Sequence, residues 1–279
     1  MTTATREGEA HRGIETHAAT AQAEMQVNHF TSPDGLEMAW FELGSNAGAP
    51  PIIFQHGFSS STYWEWVECG LIDAVKTLGR RVVGIDARGH GLSAKPHETR
   101  FYGETFMARD VMALADHLGF ESYDLVGYSM GGAIAATTAS LDPRIRRVVI
   151  SGVGEAIVKI GGVDQRVLDT TALAAGLRAD SSEGLGDVVR GFREGAIKRD
   201  NDLLALAAHS ESIAQRKIDL DAIKAEVLVM AGDTDPLANN AGAIAEAIGD
   251  NARLQLVPGD HHFSRRSPEY RQALLDFLG

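Results

Sequence analysis

The sequence predicts an α/β fold, in which a mostly parallel sheet carries helices on both faces. Three observations lead there. Short apolar runs alternate with longer helical patterns along most of the 279 residues, the mark of repeated strand–helix units. Ser32-Pro33-Asp34-Gly35, strong turn chemistry, separates two strand-like runs near the start and marks an initial hairpin. Between about Gly154 and Ile223 the strand signal disappears, leaving glycine-dotted, helix-prone sequence that reads as an insertion between two strands.

The elements follow in order. The hairpin is expected over roughly Gln26–Thr31 and Leu36–Leu43, then a Gly/Ala/Pro linker, the strand Ile52–Gln55 and a helix from Tyr63 to Leu78. Val82–Asp86 is the next strand, followed by a helix over Gly103–Leu118 and the strand Tyr123–Val126. A helix begins after Ser129 and leads to the strand Arg147–Ile150. Beyond the insertion come the strand Val227–Ala231, a helix across Asn239–Ile248, the strand Arg253–Val257 and a last helix over Pro268–Leu278. The expected organisation is a tail over residues 1–24, a core of residues 25–153 and 224–279, and a helical cap over 154–223. Ligands of α/β sheets bind beyond the carboxyl ends of the strands, so such an insertion can cover a site.

Composition narrows the function classes. A 44% hydrophobic content supports a packed core without staples. The formal charge of −12 repels phosphate backbones and anionic lipid, which disfavours nucleic-acid and membrane partners. Cys69, the single cysteine, permits neither an internal disulfide nor a thiolate metal cluster. Residues 1–24 are polar, mixed in charge and without an apolar signal segment, so they read as a mobile tail of a cytoplasmic protein. A small-molecule substrate is expected, with no cofactor and no metal.

The chemistry concentrates at strand ends. Gly127-Tyr128-Ser129-Met130-Gly131-Gly132 directly follows an apolar strand and opens a helix. A serine at so tight a turn needs small neighbours, and the turn exposes its hydroxyl above the sheet. A hydroxyl is a weak nucleophile until a base takes its proton. Asp260-His261-His262-Phe263, after the last strand, is the best-placed source of that base. The histidine in turn needs a carboxylate to fix its tautomer. Asp233 and Asp235, in Gly232-Asp233-Thr234-Asp235-Pro236, are the candidates, with Glu155 as a third. Asp235 is preferred because the following proline holds it extended and away from the helix, while Asp233 is placed to cap its own loop. Gln55-His56-Gly57-Phe58 ends another strand; the backbone N–H of Phe58, with that of Met130, is expected to form an oxyanion hole. His56 reads as an anchor of that loop.

Together, His56-Gly57, Asp86-Ala87-Arg88-Gly89-His90-Gly91-Leu92-Ser93, Gly127–Gly131, Gly232–Asp235 and the His261-His262 loop resemble the α/β-hydrolase superfamily, over roughly Met25 to Gly279. The resemblance implies that fold and a serine nucleophile, base and acid in that chain order. It makes Asp86–Ser93 structural. It also favours His262 as the base, because the family's base lies four residues after the loop's proline, here Pro258. Serine at 129 departs from the aspartate of haloalkane dehalogenases and epoxide hydrolases.

The expected activity is hydrolysis of a small carboxylic ester or related acyl bond through Ser129, His262 and Asp235. The alternatives are a carbon–carbon bond hydrolase of ring-cleavage products, whose cap commonly supplies an arginine for a substrate carboxylate, and a cofactor-free perhydrolase. Arg178, Arg190, Arg193 and Arg199 lie in the insertion, although interspersed acids favour a solvated face for them. Perhydrolases usually carry tryptophan where Phe58 stands. A ligand receptor on the same scaffold is the non-enzyme alternative. The oligomeric state is left open.

Overall fold

A computed structural model describes residues 25–44, 49–213 and 217–279; the expected tail over residues 1–24 lies outside the described residues. The hairpin forms as β1 (Val27–Thr31) and β2 (Glu37–Gly44), turning at Gly35, whose φ of 89° suits a residue without Cβ. The remaining strands are β3 (Ile52–Gln55), β4 (Val82–Ile85), β5 (Tyr123–Tyr128), β6 (Ile145–Ser151), β7 (Glu226–Gly232) and β8 (Ala252–Val257). They make one eight-stranded sheet in the order β1-β2-β4-β3-β5-β6-β7-β8. β1 and β2 pair antiparallel, β2 joins β4 antiparallel, and every later pairing is parallel. The fully buried runs of β3, β4 and β5 are what a sheet covered on both faces requires.

The helices are α1 (Leu71–Lys76), α2 (Glu104–His117), α3 (Met130–Leu141), α4 (Ala156–Lys159), α5 (Thr170–Arg178), α6 (Asp187–Lys198), α7 (Leu203–Ser212), α8 (Gly242–Ile248) and α9 (Pro268–Leu278). Two apolar clusters flank the sheet. Residues of α2, α3 and α8 pack with Ile53, Leu125 and Val229 on one face, and residues of α1 and α9 pack with Phe54, Val126 and Met230 on the other.

Two expected helices are shorter than the pattern implies. The run from Tyr63 to Leu78 divides into a π-turn at Tyr63–Val67 and α1, because Gly70 at φ 73° breaks the ladder between them. Asn239–Ile248 begins only at Gly242, because Asn240 at φ 50° separates α8 from the 3-10 turn Pro236–Ala238.

The insertion between β6 and β7 is helical, as expected, and contributes α4 to α7. It carries its own apolar cluster around Leu168, Leu173, Leu177, Ala196 and Leu206, against which Phe58 and Leu237 of the strand-end loops pack. Asp169 and Asp202 start α5 and α7 by accepting two backbone N–H groups each. No described helix is long and apolar enough to cross a membrane.

Candidate active site

β5 delivers Ser129 to the middle of the sheet's carboxyl edge. Its backbone sits at φ 57°, ψ −121°, a conformation that costs a non-glycine residue about 1–3 kcal/mol. The surroundings hold it there. The Ser129 N–H donates to the Ser151 carbonyl at 2.8 Å, and its own carbonyl accepts from Gly132 and Ala133. A Cβ on Gly127 would stand 2.0 Å from the Gly131 carbonyl, and one on Gly131 would stand 2.1 Å from the Gln55 carbonyl. Both glycines are therefore fixed by close approach of strand and helix.

The Ser129 hydroxyl lies 2.9 Å from Nε2 of His261, and Nδ1 of the same ring lies 2.7 Å from Oδ2 of Asp235. The carboxylate must accept from Nδ1–H, so Nε2 is left free to accept from the serine hydroxyl. The expectation of His262 is corrected here. Asp260 accepts the backbone N–H groups of both His262 and Phe263, at 2.9 and 3.0 Å. This turn closes one residue early, sending the His261 ring toward Ser129 and leaving His262 exposed on the cavity rim. Partial burial and the neighbouring His261 hold the His262 ring below its ordinary pKa. The signal in the sequence was Asp260 itself, an Asx-turn former directly before the histidine pair.

Asp235 is extended (φ −81°, ψ 109°), as its place before Pro236 predicts. It serves twice: Oδ1 accepts from the Leu237 and Ala238 N–H groups while Oδ2 faces His261. Asp233 caps as expected, but the N–H it accepts is that of Gly259, in the histidine loop. Glu155 is engaged with Lys159 and Asn240, away from the ring.

Phe58 and Met130 line the same cavity as Ser129. As the first residue of α3, Met130 has an N–H with no intrahelical acceptor. No backbone acceptor takes the Phe58 N–H among the described residues. His56 anchors the loop, its Nδ1–H donating to the Gly57 carbonyl and its Nε2 accepting from Ala87. Asp86 accepts from the Thr62 and Leu92 N–H groups, and Arg88 is clamped between Asp34 and Asp110, so this stretch is structural.

The cavity encloses about 430 Å³ between the strand ends and the insertion. Met107, Ile134 and Val153 line it from below, Leu168, Leu173 and Phe192 from above. Burial pushes His209, packed against Phe58, down to about 4, which leaves that wall uncharged at neutral pH. The four insertion arginines part company. Arg178 pairs with Glu211, Arg190 pairs with Asp187, and Arg193 donates to two α5 carbonyls. Only Arg199 lines the cavity; its hydrogen bond goes to the Gly195 carbonyl, and no described carboxylate lies within 4.0 Å of it. Burial holds its pKa below the usual arginine value.

A family model described as alpha/beta hydrolase fold matches residues 50–183. A non-heme haloperoxidase of Rhodococcus erythropolis is 30% identical over 272 residues, covering 83% of this chain and 91% of that one. The chain belongs to the α/β-hydrolase fold family. A dihydrolipoyllysine-residue acetyltransferase component of the acetoin cleaving system of Pseudomonas putida is 35% identical over 128 residues, but this α/β-hydrolase covers only 32% of its length. Among solved structures, an enol-lactonase from Burkholderia xenovorans LB400 superposes with a TM-score of 0.73 at 23% identity, over 90% of this chain and 99% of that one. At that identity the likeness speaks for the fold.

Proposed function

We propose that this α/β-hydrolase cleaves small carboxylic esters, lactones or related acyl compounds through Ser129, with His261 as base and Asp235 as its orienting acid. The observation that carries the reading is the unbroken relay from the Ser129 hydroxyl through His261 to Asp235, opening on a cavity beside two unspent backbone N–H groups. Ser129 Oγ bonds to the acyl carbon as its proton passes to Nε2 of His261. The carbonyl oxygen becomes an oxyanion held by the Phe58 and Met130 N–H groups. Collapse breaks the bond to the leaving oxygen, which takes the proton from His261. Water then repeats the sequence on the acyl-enzyme and frees the acid.

Arg199 favours a second reading of the substrate. An unpaired guanidinium lining an apolar cavity suits a substrate carboxylate. That is compatible with hydrolysis of an enol-lactone acid or of a vinylogous diketone from ring cleavage. Perhydrolysis, suggested by the haloperoxidase relative, requires peroxide in place of water, and Phe58 departs from the tryptophan usual there. The test is a screen of nitrophenyl esters of graded chain length, with and without a distal carboxylate, alongside a vinylogous diketone and with peroxide added in a parallel arm. Turnover of short esters is expected, and Arg199→Met should raise KM only for carboxylate-bearing substrates. Failure of the wild type to cleave any of them, or to be labelled by a fluorophosphonate, would reject the reading in favour of a binding role.

The acid gives a sharper expectation. In Asp235→Asn the amide oxygen can still cap the Pro236 turn, but an amide N–H₂ facing His261 forces the wrong tautomer. kcat should fall about 10⁴-fold, the scale of losing a triad carboxylate. Asp233→Asn should cost about tenfold or less, since only a loop bond worth about 1 kcal/mol is weakened. Steady-state kinetics of the two variants decide; a larger loss in Asp233→Asn would move the acid to that residue.

A further inference from the structure

The relay leaves one buried carboxylate of the site unused. Glu65 is 5% exposed and lines the cavity from the π-turn Tyr63–Val67, which the Glu68 N–H closes onto the Tyr63 carbonyl at 2.9 Å. Such wide turns are rare and occur frequently at functional sites. One Glu65 oxygen accepts the Gly57 N–H at 3.2 Å; the other lies 2.5 Å from Nε of Arg265, a contact of charges without hydrogen-bond alignment. Arg265 is itself nearly buried. It donates from Nη1 to the His262 carbonyl at 2.7 Å and lies 5.4 Å from the centroid of the Tyr128 ring. The Tyr128 hydroxyl, one residue before the nucleophile, donates to the His261 carbonyl at 2.6 Å.

We propose that the Glu65–Arg265 pair is a positioning device that locks the oxyanion loop to the serine turn and the histidine loop, and that Arg265 cancels a negative charge which would otherwise oppose the oxyanion. The kinetic part rests on the hydrolase reading; the mechanical part does not. Holding the Gly57 N–H fixes the His56–Gly57 peptide, directly before the one that carries the Phe58 N–H, and so restricts the loop from which that N–H is aimed. There is little slack in that loop, since a Cβ on Gly57 would come within 3.1 Å of Glu65 and 3.2 Å of the Ser129 Cβ. A carboxylate in this poorly solvated wall acts on the cavity at low effective dielectric, so its neutralisation matters more than it would at the surface. Removing Arg265 alone strands the charge; removing both charges together does not.

The test is a double-mutant cycle. Arg265→Met is expected to lower kcat about 10²-fold, the scale of disabling one oxyanion donor, with KM within about threefold of wild type. Glu65→Gln keeps an oxygen for the Gly57 N–H and should cost less than about tenfold, whereas Glu65→Leu, which removes that acceptor, should match Arg265→Met. The Glu65→Gln/Arg265→Met double variant should recover to within about tenfold of wild type, because the stranded charge is gone. Amide hydrogen exchange is the readout independent of chemistry. Glu65→Leu should accelerate exchange at Gly57 and Phe58, and Glu65→Gln should not. Losses that simply add in the double variant, or that fall on KM, overturn the electrostatic role. Unchanged exchange in Glu65→Leu overturns the brace, whatever the enzyme proves to hydrolyse. If Arg265→Met fails to fold, the Glu65→Gln and Glu65→Leu comparison decides alone.

Discussion

Replacing Ser129 by alanine should reduce kcat by about 10⁶-fold, the loss seen when a serine nucleophile acting as part of a unit is removed. The reason is local. The hydroxyl makes a single side-chain hydrogen bond, to His261, and contributes little to packing, so the fold should be unaffected. Catalysis of about 10³–10⁴ over water should survive, because the Phe58 and Met130 N–H groups proposed as oxyanion donors remain, as does the cavity. Ser129→Gly provides the matching stability measurement. At φ 57° and ψ −121° alanine inherits the strain that serine bears, while glycine relieves it. Ser129→Gly should therefore be equally inactive yet about 1 kcal/mol more stable to denaturant than Ser129→Ala. A variant at this position that retains most of the wild-type kcat would end the serine mechanism. Equal stabilities of the two variants would mean that the strain does not exceed glycine's entropic cost of about 0.5–1 kcal/mol.

The inner strands of the sheet were legible as apolar runs, and the reason is burial. β3, β4 and β5 are covered on both faces, so their sequences are almost wholly apolar, and only the flanking glycines and polar residues mark where they stop. Helix limits were less legible, because they depend on single residues with positive φ. Gly70 ends one pattern, and Asn240 delays another that is apolar enough to begin earlier. Periodicity reports which face is buried. It carries no information about where the backbone turns left-handed.

The site divides the same way. Ser129, Asp235, Phe58 and Met130 were legible because each is tied to a local rule: a serine between strand and helix, an acid held extended by proline, and two N–H groups just past strand ends. Glu65 and Arg265 were not, for they are about 200 positions apart and nothing near either residue announces the other. Nothing in the serine motif names a partner for Tyr128, yet its hydroxyl donates to the His261 carbonyl. Long-range pairing of buried charges is a property of the packed molecule, since both the attraction and the desolvation cost it must offset arise only in the completed fold.

His261 and His262 are adjacent, alike in chemistry and both on the cavity, so geometry alone separates them. His261 spans the gap between Asp235 and Ser129 with contacts of 2.7 and 2.9 Å. His262 offers its backbone N–H to Asp260, and its ring stands 6.0 Å from that of His261. His261→Ala should consequently lower kcat about 10⁶-fold, as much as loss of the serine, because neither residue functions without the other. His262→Ala leaves the relay whole and should change kcat less than about tenfold. An exposed rim histidine could restore no activity to His261→Ala by any small rotation, because the Asp260 turn fixes its backbone facing away. Exogenous imidazole can do so, since the alanine leaves a space of imidazole size between Asp235 and Ser129. Rescue of His261→Ala by added imidazole, measured as ester turnover, with none in Ser129→Ala, is the expected outcome. Inactivation by His262→Ala with His261→Ala still active would return the base to His262, four residues after Pro258.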